Sequence, residues 1–188
     1  KSFFNNFAGA WIFYTTFPRF PYLHPKFDNI AQFAPLLGLF IGLIQGFVFK
    51  IFEFNSWPIF ACICVCISSG YFITGGLHID GLMDTFDGIY AGKKKMLKAM
   101  KDSRIGAFGV QITILITLLQ LASLIKINNQ IVFILPICLF WGRFSTLIYL
   151  EKFKYLSYKK SSISHKKHWR GFKKEAGLSL FLLIIISI

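Results

Sequence analysis

Four aspartates, Asp80, Asp84, Asp87 and Asp102, lie within residues 74–109, TGGLHIDGLMDTFDGIYAGKKKMLKAMKDSRIGAFG, of a 188-residue chain that has only eight acidic residues in all. Asp80, Asp84 and Asp87 are spaced i, i+4, i+7, so a helix at about 100° per residue brings all three onto one face. Three aligned carboxylates repel one another unless a cation lies between them. Hard oxygen ligands with no clustered His or Cys favour Mg²⁺, or Mn²⁺ in its place. Gly81 and Gly88 each follow an acid. They weaken a helix by about 1 kcal/mol each and leave room for a close neighbour, a phosphate or another helix. The plainer reading, a solvated helix end beside a basic loop, sits poorly with acids so scarce elsewhere. Asp102 supplies a fourth carboxylate, so the expected metal ligands are Asp80, Asp84, Asp87 and Asp102.

KDSRIGAFG, residues 101–109, adds Ser103 and Arg104 ahead of a new helix. A guanidinium fork beside helix N–H groups suits a phosphate; as a plain alternative, Arg104 anchors a cytoplasmic loop. Lys93, Lys94 and Lys95 read first as a topology signal. His78 falls on the face opposite Asp80 if the helix already covers it. It reads as a hydrogen-bonding partner more readily than as a base or ligand. Arg143 lies inside an apolar run, where a charge needs a partner, an aspartate or a substrate phosphate, or else snorkels to the interface. Arg19, within TTFPRFP, is either a headgroup contact or a phosphate ligand. Together these groups suit transfer of a phosphate-bearing group. Aspartates hold Mg²⁺ against a pyrophosphate, arginines bind its oxygens, and a carboxylate takes the proton of an attacking hydroxyl.

The elements that position these groups are membrane helices. The chain is 55% hydrophobic and 15% charged, against about 25% charged in soluble domains. That is too apolar for an ordinary soluble protein of this size. The net charge of +13 raises nucleic acid as a partner, but the basic residues cluster in loops between apolar runs, which excludes it in favour of a lipid bilayer. Residues 3–17 are aromatic and too short to span, and read as an interfacial or re-entrant helix. Pro18, Pro21 and Pro25 end it. Spans are predicted over 30–52, 57–73, about 106–125 and 131–150, with a fifth apolar run from Ala176. Trp57 and Pro58 open the second span as interface anchor and first-turn proline. Gly38, Gly42 and Gly46 repeat every fourth residue, the spacing that lets two membrane helices approach closely. Cys62, Cys64, Cys66 and Cys138 all lie in apolar segments and read as buried, reduced residues.

Lysine and arginine number six in 74–105 and nine in 151–175, with Arg19 and Lys26 before the first span. The opposite side has only Lys50 and Lys126. This alternation places 18–29, 74–105 and 151–175 together on the cytoplasmic side.

GGLHIDGLMDTFDG followed by MKDSRIGAFG closely resembles the double motif of the adenosylcobinamide-GDP ribazoletransferase (cobalamin synthase) family. FPRFP, GLFIGLIQG and WGRFSTLIYL are similar to further parts of it, so the resemblance covers about residues 10–150. It implies a multi-pass inner-membrane enzyme that requires Mg²⁺. Such an enzyme joins adenosylcobinamide-GDP to α-ribazole or its 5′-phosphate and releases GMP, the nucleotide-loop assembly step of vitamin B12 synthesis. By position, His78, Asp80, Asp84 and Asp87 match the first motif, and Asp102, Ser103 and Arg104 the second. Asp87, Asp102 and His78 are the candidate catalytic groups; Arg104, Ser103, Arg143 and Arg19 are the candidate substrate-binding residues. Members of this family continue through further helices and a GD-x-LGA-type motif not present before Ile188. The expectation is therefore one integral-membrane transferase domain over 1–188, truncated at its C-terminus. The fold class expected is all-α, a polytopic transmembrane bundle with an N-terminal interfacial or re-entrant helix, its active site facing the cytoplasm. Two alternatives stay open: a CDP-alcohol phosphotransferase, whose alanine–arginine pair is not matched by Ile89 and Tyr90, and a cation transporter, which would carry its acids in mid-span.

Overall fold

A computed structural model of the chain describes residues 2–154 and 168–187. Its regular elements are helical: α1 (Ser2–Tyr14), α2 (Ala34–Phe54), α3 (Ile59–Thr74), α4 (Leu77–Tyr90), α5 (Met96–Ala99), α6 (Ala107–Lys126), α7 (Ile131–Lys152) and α8 (Phe172–Ser187). Short 3-10 turns precede α2 and α7. The all-α expectation holds. Three helical stretches are long and apolar enough to cross a bilayer: Ile30–Phe54, Ala107–Lys126 and Asn128–Lys152. The predicted second span differs. α3 has 16 residues, about 24 Å at 1.5 Å per residue, short of the ~30 Å hydrocarbon layer. It reaches span length only together with α4, from which an 88° bend separates it. α8 also has 16 residues. Residues 155–167 of the predicted basic loop lie outside the described residues.

The chain forms two compact units. The first comprises residues up to Phe47 and from Val132 onward. Within it, the proline-rich segment does not hang free but folds back along α1. The Lys26 N–H donates to the Asn5 carbonyl at 2.9 Å, the His24 N–H to Asn5 Oδ1 at 3.3 Å, and Trp11 Nε1 to the Pro18 carbonyl at 3.1 Å. Gly9 permits this, since a Cβ there would run into the Lys26 carbonyl. Trp11 packs among Phe7, Phe17 and Phe20.

The glycine stripe of α2 meets α7 as its spacing predicts. Cβ atoms on Gly38, Gly42 and Gly46 would press in turn on the backbone of Leu139, Pro136 and Val132. The descending order makes the pair antiparallel. Without a hydrophobic drive between helices in lipid, this close backbone contact is what holds them. A polar clasp closes the unit. Arg170 Nε donates to Glu175 Oε1 at 2.7 Å and its Nη2 to Gln32 Oε1 at 3.1 Å. Glu175 is fully buried and Gln32 nearly so.

The second unit, Val48–Ile131, holds the aspartates. α3 ends in Gly75 (φ 59°) and Gly76 (φ 73°). Two consecutive left-handed residues are costly for any side chain but not for glycine, and they turn the chain sharply into α4. The cysteine reading needs one correction: Cys62 and Cys66 are buried, but Cys64 is half-buried and Cys138 exposed. An exposed thiol on an apolar helix face is compatible with lipid contact, because in a bilayer apolar residues need no protein cover.

Candidate active site

α4 presents Asp80, Asp84 and Asp87 from one 14-residue helix, so the predicted alignment on one face is realised. Asp80 is exposed; Asp84 and Asp87 are half-buried. The bend after α3 turns α4 out of the span direction. The Asp84 carboxyl is pushed above the ordinary carboxylate range by partial desolvation, and further by the negative charges of Asp80 and Asp87. Among the described residues, no ion pair is formed by Asp80, Asp84 or Asp87.

Asp87 has a role that the spacing did not reveal. Its Oδ2 accepts the Gly106 N–H at 2.8 Å and its Oδ1 the Gly109 N–H at 2.7 Å. Gly106 is the N-cap of α6 and has no side chain to satisfy the first turn. Asp87, 19 residues upstream, caps α6 instead, with its negative charge at the positive end of the helix dipole. Glycine is required at both donors. A Cβ on Gly106 would collide with the Asp87 carboxylate, and one on Gly109 would lie 2.7 Å from Asp87 Oδ2 and 2.8 Å from the Met83 carbonyl. The two sequence motifs are thus joined by a carboxylate that one supplies and amides that the other supplies. Tyr71 and Thr117 hydroxyls, 2.8 Å apart, tie α3 to α6 behind them. Tyr90 and Phe108 stack with centroids 4.7 Å apart at the far end of α4.

Gly88 and Gly81 divide the two uses foreseen for glycine here. A Cβ on Gly88 would strike Met100 and Met96, whereas Gly81 faces open space.

Asp102 does not join the α4 acids in a cluster. It forms a fork with Arg104: Nε to Oδ1 at 3.0 Å and Nη2 to Oδ2 at 2.7 Å, with the Arg104 N–H also on Oδ1 at 3.1 Å. These hydrogen bonds hold the Asp102 carboxyl down to about 2. The pair is solvent-facing, and the Arg104 side chain is 87% exposed. Leu97, Lys98, Lys101 and Asp102 line a cavity of about 500 Å³ beside it. Ser103 is exposed in the same turn. Because α4 begins at Leu77, His78 is covered by the helix and stands about 200° around it from Asp80, off the aspartate face.

Among the described residues, no three His, Cys, Asp or Glu side chains converge closely enough to hold a metal ion. Asp80 and Asp84, one turn apart, nonetheless suit Mg²⁺ in its usual habit of taking one or two carboxylates and completing its shell with water and substrate phosphate. The raised proton affinity of Asp84 is what a cation would relieve.

Arg19 and Arg143 belong to the first unit. Arg19 is exposed. Arg143 does not snorkel: it is 6% exposed, with its guanidinium 5.8 Å from the Tyr14 ring centroid. Its Nη1 is buried without a hydrogen-bond partner among the described residues. Tyr14, a cation–π partner, was not singled out by sequence; nothing in its local pattern distinguishes it from the other aromatics of α1.

The family described as Cobalamin-5-phosphate synthase matches residues 6–188. A Prochlorococcus marinus protein named adenosylcobinamide-GDP ribazoletransferase is 44% identical over 187 residues, covering 96% of this chain and 72% of the relative. One from a second strain of that species is 39% identical, covering 96% and 70%. A Trichormus variabilis protein of the same name is 34% identical, covering 89% and 67%. No solved structure matches the chain.

Proposed function

The chain belongs to the cobalamin-5-phosphate synthase family, and from that premise we propose that it transfers the cobinamide-phosphate group of adenosylcobinamide-GDP to α-ribazole or its 5′-phosphate, releasing GMP. The observation that carries the reading to this site is the placement of Asp80 and Asp84 one turn apart on α4, followed in the chain by a segment that supplies Lys98, Lys101 and Arg104 as phosphate donors. Family membership sets aside the transporter and CDP-alcohol alternatives.

Asp80 and Asp84 would hold Mg²⁺ together with the substrate diphosphate. When bound, the ion neutralises the diphosphate and the departing GMP. Lys98, Lys101 and the Arg104 fork are the donors available to phosphate oxygens. A substrate phosphate competing for Arg104 frees Asp102, whose carboxylate then regains an ordinary proton affinity and accepts the proton of the attacking hydroxyl. That hydroxyl oxygen bonds to the cobinamide-linked phosphorus. The bond from phosphorus to the GMP oxygen breaks, and GMP leaves with its electron pair. Asp87 serves as the structural link that fixes α4 against α6, so the carboxylates and the phosphate donors keep their spacing. The charge distribution of the loops supports a cytoplasm-facing site in the inner membrane.

The test is GMP release by the full-length protein in nanodiscs, given adenosylcobinamide-GDP, α-ribazole and Mg²⁺. Asp84→Asn is expected to abolish release while leaving insertion and folding intact. Turnover by that variant at the wild-type rate defeats the assignment.

A further inference from the structure

The basic segment between α7 and α8 reads in sequence as a topology signal only, but in the first unit its described ends enclose a cavity of about 760 Å³. Ile148 from α7 and Phe172 from α8 supply apolar wall, and Lys152, Lys173 and Lys174 stand around it. Arg170 also lines it, but its charge is neutralised by Glu175, with which it pairs at 2.7 Å. The remaining acid on the wall, Glu151, accepts a hydrogen bond from Trp169 Nε1 at 2.5 Å. Lys152, Lys173 and Lys174 form no ion pair among the described residues. Against these three ammonium groups the wall sets one carboxylate, Glu151, whose charge a neutral indole N–H does not cancel, so the cavity keeps a net positive charge that favours a bound anion. The volume falls in the range of small-molecule sites, about 300–1,000 Å³. The position is the end of the Asn128–Lys152 span, where apolar and aqueous surroundings meet.

We infer that this cavity binds a phosphate group carried on an apolar body: the phosphate between Lys152, Lys173 and Lys174, the apolar part against Ile148 and Phe172. Two sources offer that chemistry. One is an anionic phospholipid headgroup with its upper acyl chain, which basic pockets at membrane helix ends recognise. The other is a soluble aromatic phosphate such as α-ribazole 5′-phosphate. The lipid arm requires no turnover and is independent of the proposed reaction; the substrate arm rests on that reading.

In the first arm, native mass spectrometry counts phosphatidylglycerol retained against phosphatidylcholine by the detergent-solubilised full chain. In the second, KM is measured for α-ribazole 5′-phosphate and for unphosphorylated α-ribazole in nanodiscs of neutral lipid only. The variant is Lys152→Gln/Lys173→Gln/Lys174→Gln, compared with the corresponding triple Arg variant, which keeps the charge. A lipid source predicts about tenfold less phosphatidylglycerol retained by the Gln variant and wild-type retention by the Arg variant. A substrate source predicts a KM for the phosphorylated acceptor raised about tenfold, with that for α-ribazole unchanged. Either outcome supports the inference; wild-type values in both arms overturn it. Should the triple Gln variant fail to fold, the three single Gln variants are read in the same way, with a two- to threefold effect expected from each. No effect from any of them overturns the inference equally.

Discussion

Asp87→Ala removes the carboxylate that caps α6. In the native protein both its oxygens are engaged by first-turn amides of α6. Loss of an N-cap side chain costs about 1 kcal/mol, within a range of roughly 0.5–2. Loss of a negative charge at a helix N-terminus costs about 0.3–1 kcal/mol more. Gly109 is buried, so its freed N–H is poorly placed to recruit water, and an unsatisfied buried donor costs about 1–3 kcal/mol. These contributions overlap, and a total of about 2–3 kcal/mol is expected. Asp87→Asn keeps one acceptor oxygen and loses the charge, so about half of that is expected. The assay is hydrogen exchange of the Gly106 and Gly109 amides in detergent micelles, alongside the unfolding midpoint. At about 1.4 kcal/mol per tenfold, exchange at those two amides accelerates by roughly 30- to 140-fold in the Ala variant, while amides in the middle of α6 change far less. Asp84→Ala, which removes a carboxylate that takes no part in capping α6, leaves both readouts at or above wild type. Unchanged protection of Gly106 and Gly109 in Asp87→Ala would refute the capping role and return Asp87 to the α4 face as a free carboxylate.

Gly109→Ala brings a Cβ against the Met83 carbonyl and the Asp87 carboxylate and should lower the unfolding midpoint. Gly81→Ala, which faces open space, should raise it by up to about 1 kcal/mol in stability; a midpoint rise with a fall in GMP release would identify that space as occupied by substrate. Gly42→Ala sets a methyl 2.5 Å from the Pro136 Cα, and loss of monodisperse protein on gel filtration is expected. For pH, Asp102 is held below its unfolded value of about 3.9. Its contribution to stability is therefore present above about pH 4 and disappears as pH falls through about 2. Asp84 has the opposite sign: its folded proton affinity is raised, so its ionisation as pH rises above the ordinary carboxylate range destabilises the fold. Asp80→Asn should move the Asp84 carboxyl resonance titration to lower pH.

The helices were legible because each rests on its own residues. The apolar runs fixed α2, α6 and α7 to within a few residues, and the fourfold glycine spacing of α2 named its packing face. The i, i+4, i+7 aspartates read directly as one face of α4. What sequence could not supply were contacts between distant positions. Asp87 and Gly109 are 22 residues apart, and Arg170 and Gln32 are 138 apart; no local periodicity encodes either. One signal did exist for the first: Gly106 opens α6 without a capping side chain, which asks where the cap comes from. The GlyGly pair at 75–76 marked a break, but its angle depends on how α4 packs along α6. Asp102 and Arg104 are both legible as site residues, but their pairing at i, i+2 depends on the turn between them, which no periodicity encodes.

The shared cap also constrains how this chain can change. Ser or Asp at an N-cap is ordinarily an improvement over glycine, yet at position 106 either one would evict the carboxylate already serving the helix. Conversely, losing Asp87 first leaves α6 uncapped until position 106 acquires a side chain. A local cap and the remote one are therefore separated by a valley: each single step is harmful, and only the double change restores an equivalent helix start. Positions 87 and 106 are bound to vary together or not at all, and a variant library sampling both at once should recover capped combinations that no one-site scan would find.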